Sequence, residues 1–371
     1  MPLFYSIFFD ITTHTVIRNF LHDKTCLIKP VGMLMLLIQY NKIRGLNFPA
    51  LLLFLFSFAA MIQTKAQEVG FSQFYAAPLY LNPAFAGQTE CGRIGLQYRN
   101  QWPGLDKAFR TYKLSYDQHL PAINSGFGFQ LMQDQQGGGV FNRTMIATYF
   151  ASQVQVGMRS MIAAGIKGGL VQDALNWDAL QFPDKLINGA SNESPPNATT
   201  RWAPDFAAGL LYSLDEVLFA GISADHVNRP LISMFGEDNN TLPVRWTLHT
   251  GWNIRANDRG YAGRNDELLL IQPNALFLQQ GKFRQLNAGL YVSKHPFIAG
   301  GWFRHTFETA NAIEVMVGLN ASGFSVGYSY DITVSGVGLN AGGAHEVSLS
   351  WELCIERETK RKIRAIKSPV F

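Results

Sequence analysis

The sequence predicts an all-β fold: a transmembrane antiparallel β-barrel of about 14 strands, preceded by a cleavable signal peptide. Three observations predict it. First, the end of the chain alternates strictly. Phe324, Val326, Tyr328 and Tyr330 make one face, and Ser325, Gly327, Ser329 and Asp331 the other. Val347, Leu349, Trp351 and Leu353 alternate in the same way with Glu346, Ser348, Ser350 and Glu352. Period two means a strand with one apolar and one polar face. An apolar face ending in aromatics, opposite small residues and carboxylates, fits lipid outside and an aqueous lumen inside. Second, only 16% of the 371 residues are charged, yet nothing after the leader is long and apolar enough for a membrane helix. Third, the leader itself sends the chain out of the cytoplasm. An open sheet edge in lipid would strand backbone groups, so the last strand is expected to pair with the first.

The elements follow in order. Asn41 to Arg44 is basic, Phe48 to Ile62 is nearly all apolar, and small residues flank Lys65. This reads as a secretory signal peptide cut between Ala66 and Gln67. Signal peptides begin close to their start codon, so residues 1–34 read as an over-extended start and 35–66 as the signal. A real cytoplasmic extension is the alternative. Residues 67–92 form an irregular segment, rich in aromatics and turn residues, expected in the barrel mouth or against a periplasmic partner. The barrel is assigned to 93–354 and a basic periplasmic tail to 355–371. Strands are expected at 93–99, 112–117, 126–131, 142–152, 157–171, 205–213, 217–225, 244–253, 267–277, 285–293, 297–305, 312–319, 323–331 and 345–353. Loops are expected at Gln133–Gly139 and, longest, at Asp173–Pro204.

Charge excludes one class of function. The net +4 resides in residues 1–66, with six basic and two acidic side chains, and again in the tail, with six and two; the body between is −4. A nucleic-acid surface is therefore not supported. Motifs exclude another class. The letters G-x-S-x-G occur at Gly323 to Gly327, but within an alternating strand and not at a strand-to-helix elbow, and there is no metal-spaced His pair or phosphate loop, so no catalytic, cofactor or metal residue is assigned. His249 and His345 are read as hydrogen-bonded groups inside the lumen. Asp331 and Glu346 are expected on lumen faces within reach of Arg93 or Arg99 across the closing seam; the alternative is that they are merely solvated.

Three cysteines are present. Cys26 precedes the signal. Cys91 comes just before the first strand and Cys354 directly after the last. In a closed barrel those strands are neighbours, so the two thiols come within disulfide reach in an oxidising compartment. Two free thiols is the alternative.

Several stretches together resemble the PorP/SprF family of Bacteroidetes outer-membrane proteins. They are FSQFYAAPLYLNPAFAG from Phe71 to Gly87, YRNQWPGL from Tyr98 to Leu105, LFAGISADHVNRP from Leu218 to Pro230, GYSYDITVS from Gly327 to Ser335, and the HEVSLSWEL strand with the SPVF ending. The motif positions are Asn82, Pro83, Phe85, Gly87, Arg99, Asn100, Gln101, Trp102, Tyr328, Tyr330, Asp331, His345 and Glu346. Ala77, Trp351 and Val370 depart from the pattern. The resemblance implies a non-enzymatic part in type IX secretion and gliding. The partners it implies are machinery subunits and the C-terminal sorting domains of large secreted proteins such as adhesins. It implies the outer membrane of a Gram-negative bacterium, and the even number of strands puts both termini, as an expectation, on the periplasmic side. The alternative reading of the same architecture is a passive porin or a channel for hydrophobic solutes. A channel predicts an open lumen; a secretion partner predicts a lumen filled, for instance by Gln67 to Gly87.

Overall fold

A computed structural model describes residues 68–183, 193–196, 198–215, 217–234, 241–256, 269–307, 311–321, 323–334 and 341–354. The chain divides into two units, Met1–Ala66 and Gln67–Phe371, and every described residue belongs to the second. The expected start, signal peptide, Ala66–Gln67 cleavage point, Cys26 and basic tail lie outside the described residues.

Among the described residues one antiparallel sheet closes on itself. Its strands are β1 (Gly92–Gln101), β2 (Phe109–Leu120), β3 (Ser125–Gln136), β4 (Phe141–Val156), β5 (Ser160–Leu175), β6 (Thr200–Leu214), β7 (Leu218–Asp225), β8 (Arg245–Trp252), β9 (Ile254–Arg255), β10 (Leu270–Gln280), β11 (Phe283–Lys294), β12 (Phe297–Thr306), β13 (Ala312–Ala321), β14 (Phe324–Thr333) and β15 (Ala344–Leu353). Each pairs with its sequence neighbour. β9 continues β8 past Asn253 and shares its partner β10, so the ring has 14 members. β15 closes it on β1, from Gly92 opposite Leu353 to Gln101 opposite Ala344. The end holding Gly92 and Leu353 is called the near end, and the other the far end.

Alternation does what lipid requires. Trp246, Leu248 and Trp252 point outward from β8, while Arg245, Thr247 and His249 are buried inside. The outer wall is aliphatic at mid-height, with Leu96, Leu114, Ile166, Leu210 and Val317 exposed. Aromatics flank it, with Phe127, Phe150, Phe297, Phe324 and Trp351 toward the near end and Tyr112, Trp202, Trp246, Phe303 and Tyr328 toward the far end. These two girdles are what a bilayer-spanning barrel presents.

Strand limits differ from the sequence reading where lipid stops imposing a pattern. β3 runs on through Gln133, Asp134, Gln135 and Gln136, a stretch expected as loop. Beyond the apolar belt both faces of a strand are wet, and alternation disappears. β5 begins at Ser160, not Gly157, because Gly157 has φ 77° in the turn before it.

The segment from Glu68 to Cys91 passes through the lumen. Glu68 contacts Arg143, His226 and Arg245 at the far end, and Gly87 contacts Asp117 and His119 at the near end. It runs the length of the lumen and is not confined to the mouth. The first described residue thus lies at the far end and the last, Cys354, at the near end. The sequence reading expected both termini on the periplasmic side; both lie outside the described residues.

Candidate functional site

The lumen segment and its seat form the most elaborate site in the molecule. Two prolines shape the segment locally. Pro78 starts a single α-helical turn, Pro78–Leu81, and Pro83 starts a 3₁₀ turn, Pro83–Phe85. Proline fits the first helical position, where no N–H is needed. Asn82 precedes Pro83, and its Oδ1 accepts from Ala84 N at 2.9 Å, an N-cap bond. Its Nδ2 faces Leu210 O at 3.0 Å, Ile222 O at 3.2 Å and His249 Nε2 at 3.2 Å. A side chain 0% exposed is thereby fully spent. The wall gives way to admit this turn. A Cβ added at Gly209 would strike Asn82 Oδ1, and one at Gly165 would strike the Pro83 backbone. Glycine is used here for close approach of two backbones.

Two ion-pair clusters hold the far half. In the first, Arg99 donates to Asp331 at 2.8 Å and to Glu346 at 3.1 Å, and Arg304 reaches Asp331 at 3.1 Å and also Glu314. Glu346 accepts the backbone N–H of Ser72 at 2.8 Å and of Gln73 at 3.1 Å. Ser72 Oγ donates to Asp331 and accepts from Arg99. Gln73 Nε2 donates to Ser329, and its Oε1 accepts from Ser348. These carboxylates bind the segment as well as bridging strands, which fills the lone pairs that a buried charge must satisfy. Arg93 goes elsewhere, to Asp117 at 3.0 Å.

The second cluster centres on Glu68, 3.5 Å from Arg143, 2.9 Å from His226 and 3.1 Å from Arg245. Arg143 also binds Asp173, and Arg245 binds Asp225. Lys167 bridges Asp205 and Asp225, and Asp205 accepts from His226. Burial alone would raise the Glu68 pKa, but the surrounding cations outweigh it and hold its carboxyl well below the usual range.

The opposite sector of the lumen is apolar. Phe74, Tyr75, Leu81 and Phe85 pack against Phe219, Leu276, Tyr291, Trp302 and Met316 of the wall. Each such side chain buried contributes about 1.5–3 kcal/mol. His249 lies among them, stacked on Phe85 with centroids 5.4 Å apart. At the near end Gly87 N donates to Asp117 at 3.1 Å, and Gly87, with φ 64°, approaches Gly126 too closely for any Cβ.

The remaining motif residues are outside this seat. His345 shares parity with Val347 and so points outward, correcting its placement in the lumen; its Nδ1 lies 2.8 Å from Tyr328 Oη, and its ring is beside Tyr330. Asn100 and Gln101 end β1 at the far rim, where Trp102 N donates to Gly343 O at 2.7 Å. Cys91 and Cys354 form a disulfide across the seam, Cα atoms 4.7 Å apart. Glu352 approaches them, but an oxidised pair offers no thiolate to a metal. Sequence reasoning did not single out Ser72, Gln73, Glu68, Arg143, Lys167 or Arg245. Those on strands carry a signal, since each is a charge at an inward position of an alternating strand.

A family model described as "Type IX secretion system membrane protein PorP/SprF" matches residues 63–351. This chain belongs to the PorP/SprF family. The match spans the lumen segment and all but the end of β15, so the PorP/SprF pattern includes the seat as well as the wall. No curated protein matches this PorP/SprF chain. Among solved structures, the CymD monoaromatic hydrocarbon channel is similar at 11% identity, covering 75% of this chain and 93% of its own, with a TM-score of 0.44. A TodX deltaS2S3 mutant, also a monoaromatic hydrocarbon channel, gives 10%, 74%, 92% and 0.46. A triple mutant of Rhodopseudomonas blastica porin gives 9%, 71%, 98% and 0.31.

Proposed function

We propose that this PorP/SprF-family protein is a non-enzymatic outer-membrane component of type IX secretion whose barrel serves as a binding platform. It engages secretion-machinery subunits and the sorting domains of cargo, and so supports secretion or surface attachment of large proteins such as gliding adhesins. The observation that carries this reading is the filled lumen: the chain's own segment occupies the path a solute would take, held by buried ion pairs on one side and aromatic packing on the other. A passive porin needs that path open. The near end faces the periplasm in this proposal, because most turns there are short, as periplasmic turns are. Glu68 then lies toward the cell surface and Cys354 toward the periplasm.

A detergent pull-down of the tagged protein from its own membranes tests the reading. Recovery of machinery subunits or a large surface protein is expected. A barrel recovered alone, which then conducts ions in a planar bilayer, overturns it in favour of the channel.

A further inference from the structure

The outer wall of β1, β2 and β3 carries two cavities in line. One is a trough of about 360 Å³ among Leu96, Tyr98, Tyr112, Leu114, Leu131 and Gln133. Register explains it. Leu114 lies between Leu96 and Leu131 in one cross-strand row, and Tyr112 between Tyr98 and Gln133 in the next. The following outward row toward the far end is Arg110 opposite Gln135. These two residues line the second cavity, of about 170 Å³, together with Asp106 of the β1–β2 loop and the backbone of Gly138 and Gly139. Outward rows are about 7 Å apart along a strand, so the pocket begins where the trough ends.

Three features grade this strip from apolar to charged. The lower row is leucine. The Tyr98 and Tyr112 rings, 5.1 Å apart, stand at the boundary, where aromatic side chains mark the level of lipid headgroups. Above them Arg110 is exposed and makes no ion pair among the described residues. The comparable outward guanidinium on β11, Arg284, lies 5.6 Å over the Phe307 ring and is engaged. Arg110 has no such ring. Its pocket offers a guanidinium, a carboxamide and one carboxylate.

We propose that this strip binds one acidic amphiphile, with an acyl chain in the trough, a phosphate on Arg110, and headgroup hydroxyls on Gln135 and Asp106. A guanidinium matches phosphate oxygens bidentately. Asp106 repels a bare anion, so it selects a headgroup that carries hydroxyls beside its phosphate. Phosphatidylglycerol and a phosphorylated glycolipid share this chemistry; phosphatidylcholine lacks the hydroxyls and carries a cation in their place. The site uses only the outer wall and is independent of what the lumen does.

Native mass spectrometry of the full chain in detergent, titrated separately with phosphatidylglycerol, lipid A and phosphatidylcholine, tests it. One equivalent of an acidic lipid is expected to bind about tenfold more tightly than phosphatidylcholine. Arg110→Ala is expected to remove that preference, and Leu114→Trp, which fills the trough, to weaken every lipid. Arg284→Ala is expected to change nothing. The stronger of the two acidic lipids identifies the source of the headgroup, and either preference supports the site. Equal binding of phosphatidylcholine, or undiminished acidic preference in Arg110→Ala, overturns it. Unheated gel mobility establishes that each variant is still a folded barrel.

Discussion

His226 is the member of the Glu68 cluster that titrates near neutral pH. Burial works against its charged form, but Glu68 at 2.9 Å and Asp205 at 2.7 Å outweigh it and push His226 up to about 8. The folded protein therefore holds this proton more tightly than the unfolded chain, whose histidine titrates near about 6.5. The contribution is full below about 6.5 and is lost as pH rises through about 8, a change of roughly 1–2 kcal/mol. Glu68 behaves oppositely: its contribution is present above the ordinary glutamate range and lost only in strong acid. The unfolding temperature is expected to fall from pH 6.5 to 8.5, and His226→Gln to flatten that slope; a variant with the unaltered slope would place the titrating group elsewhere. Arg99 makes a second prediction at this scale. Arg99→Ala leaves Glu346 and Asp331 without their nearest guanidinium, and breaking a buried pair by removing one partner costs about 3–5 kcal/mol. On gels of samples preheated to graded temperatures, this barrel is expected to unfold at a clearly lower temperature than the wild type. Arg99, Asp331 and Glu346 were legible as inward charges. Ser72 and Gln73, which complete the site, were not, because an irregular segment has no periodicity to fix where its polar groups point.

At the scale of the element, strands and segment were legible to different degrees. β14 and β15 announce themselves because lipid on one side and the lumen on the other force strict alternation. The ends of β3 and β5 pass out of lipid and lose the pattern. The segment between Glu68 and Cys91 has no pattern of its own, but it leaves a trace in its hosts. From Phe297 to Phe303 β12 is apolar on both faces, with Ile298 and Trp302 buried inward and Phe297 and Phe303 outward, which a water-filled lumen does not call for. Inward glycines on β5 and β6 are the complementary trace. Gly209→Val is expected to displace the Asn82 turn and destabilise the barrel by about 1–3 kcal/mol, the usual cost of overpacking. Thermal unfolding of this variant beside Gly168→Val, where φ is not positive and an added Cβ meets only the Phe206 ring at 3.8 Å, separates that clash from a general loss of glycine.

At the scale of the whole molecule, the wall says membrane and the interior says closed. Strict alternation, a low charged fraction without a membrane helix, and the leader made the barrel legible from the sequence. The closed interior was legible only through the family resemblance, as what a secretion partner predicts, since composition does not distinguish a lumen lined for water from one lined for a polypeptide. In planar bilayers the purified protein is expected to show no stepwise ion conductance, and single-channel recording decides it.

The path of the lumen segment also fixes an order of assembly. Glu68 is at one mouth and Cys91 at the other, and β1 begins directly after Cys91. A cylinder that closed first would have to draw this strand of chain through a bore already crowded by Arg99, Tyr291 and Trp302. A sheet that curls around the segment meets no such obstacle: the segment serves as the mandrel on which the staves are bent. Joining β1 to β15 is then the last hoop to go on, and the Cys91–Cys354 bond is its rivet.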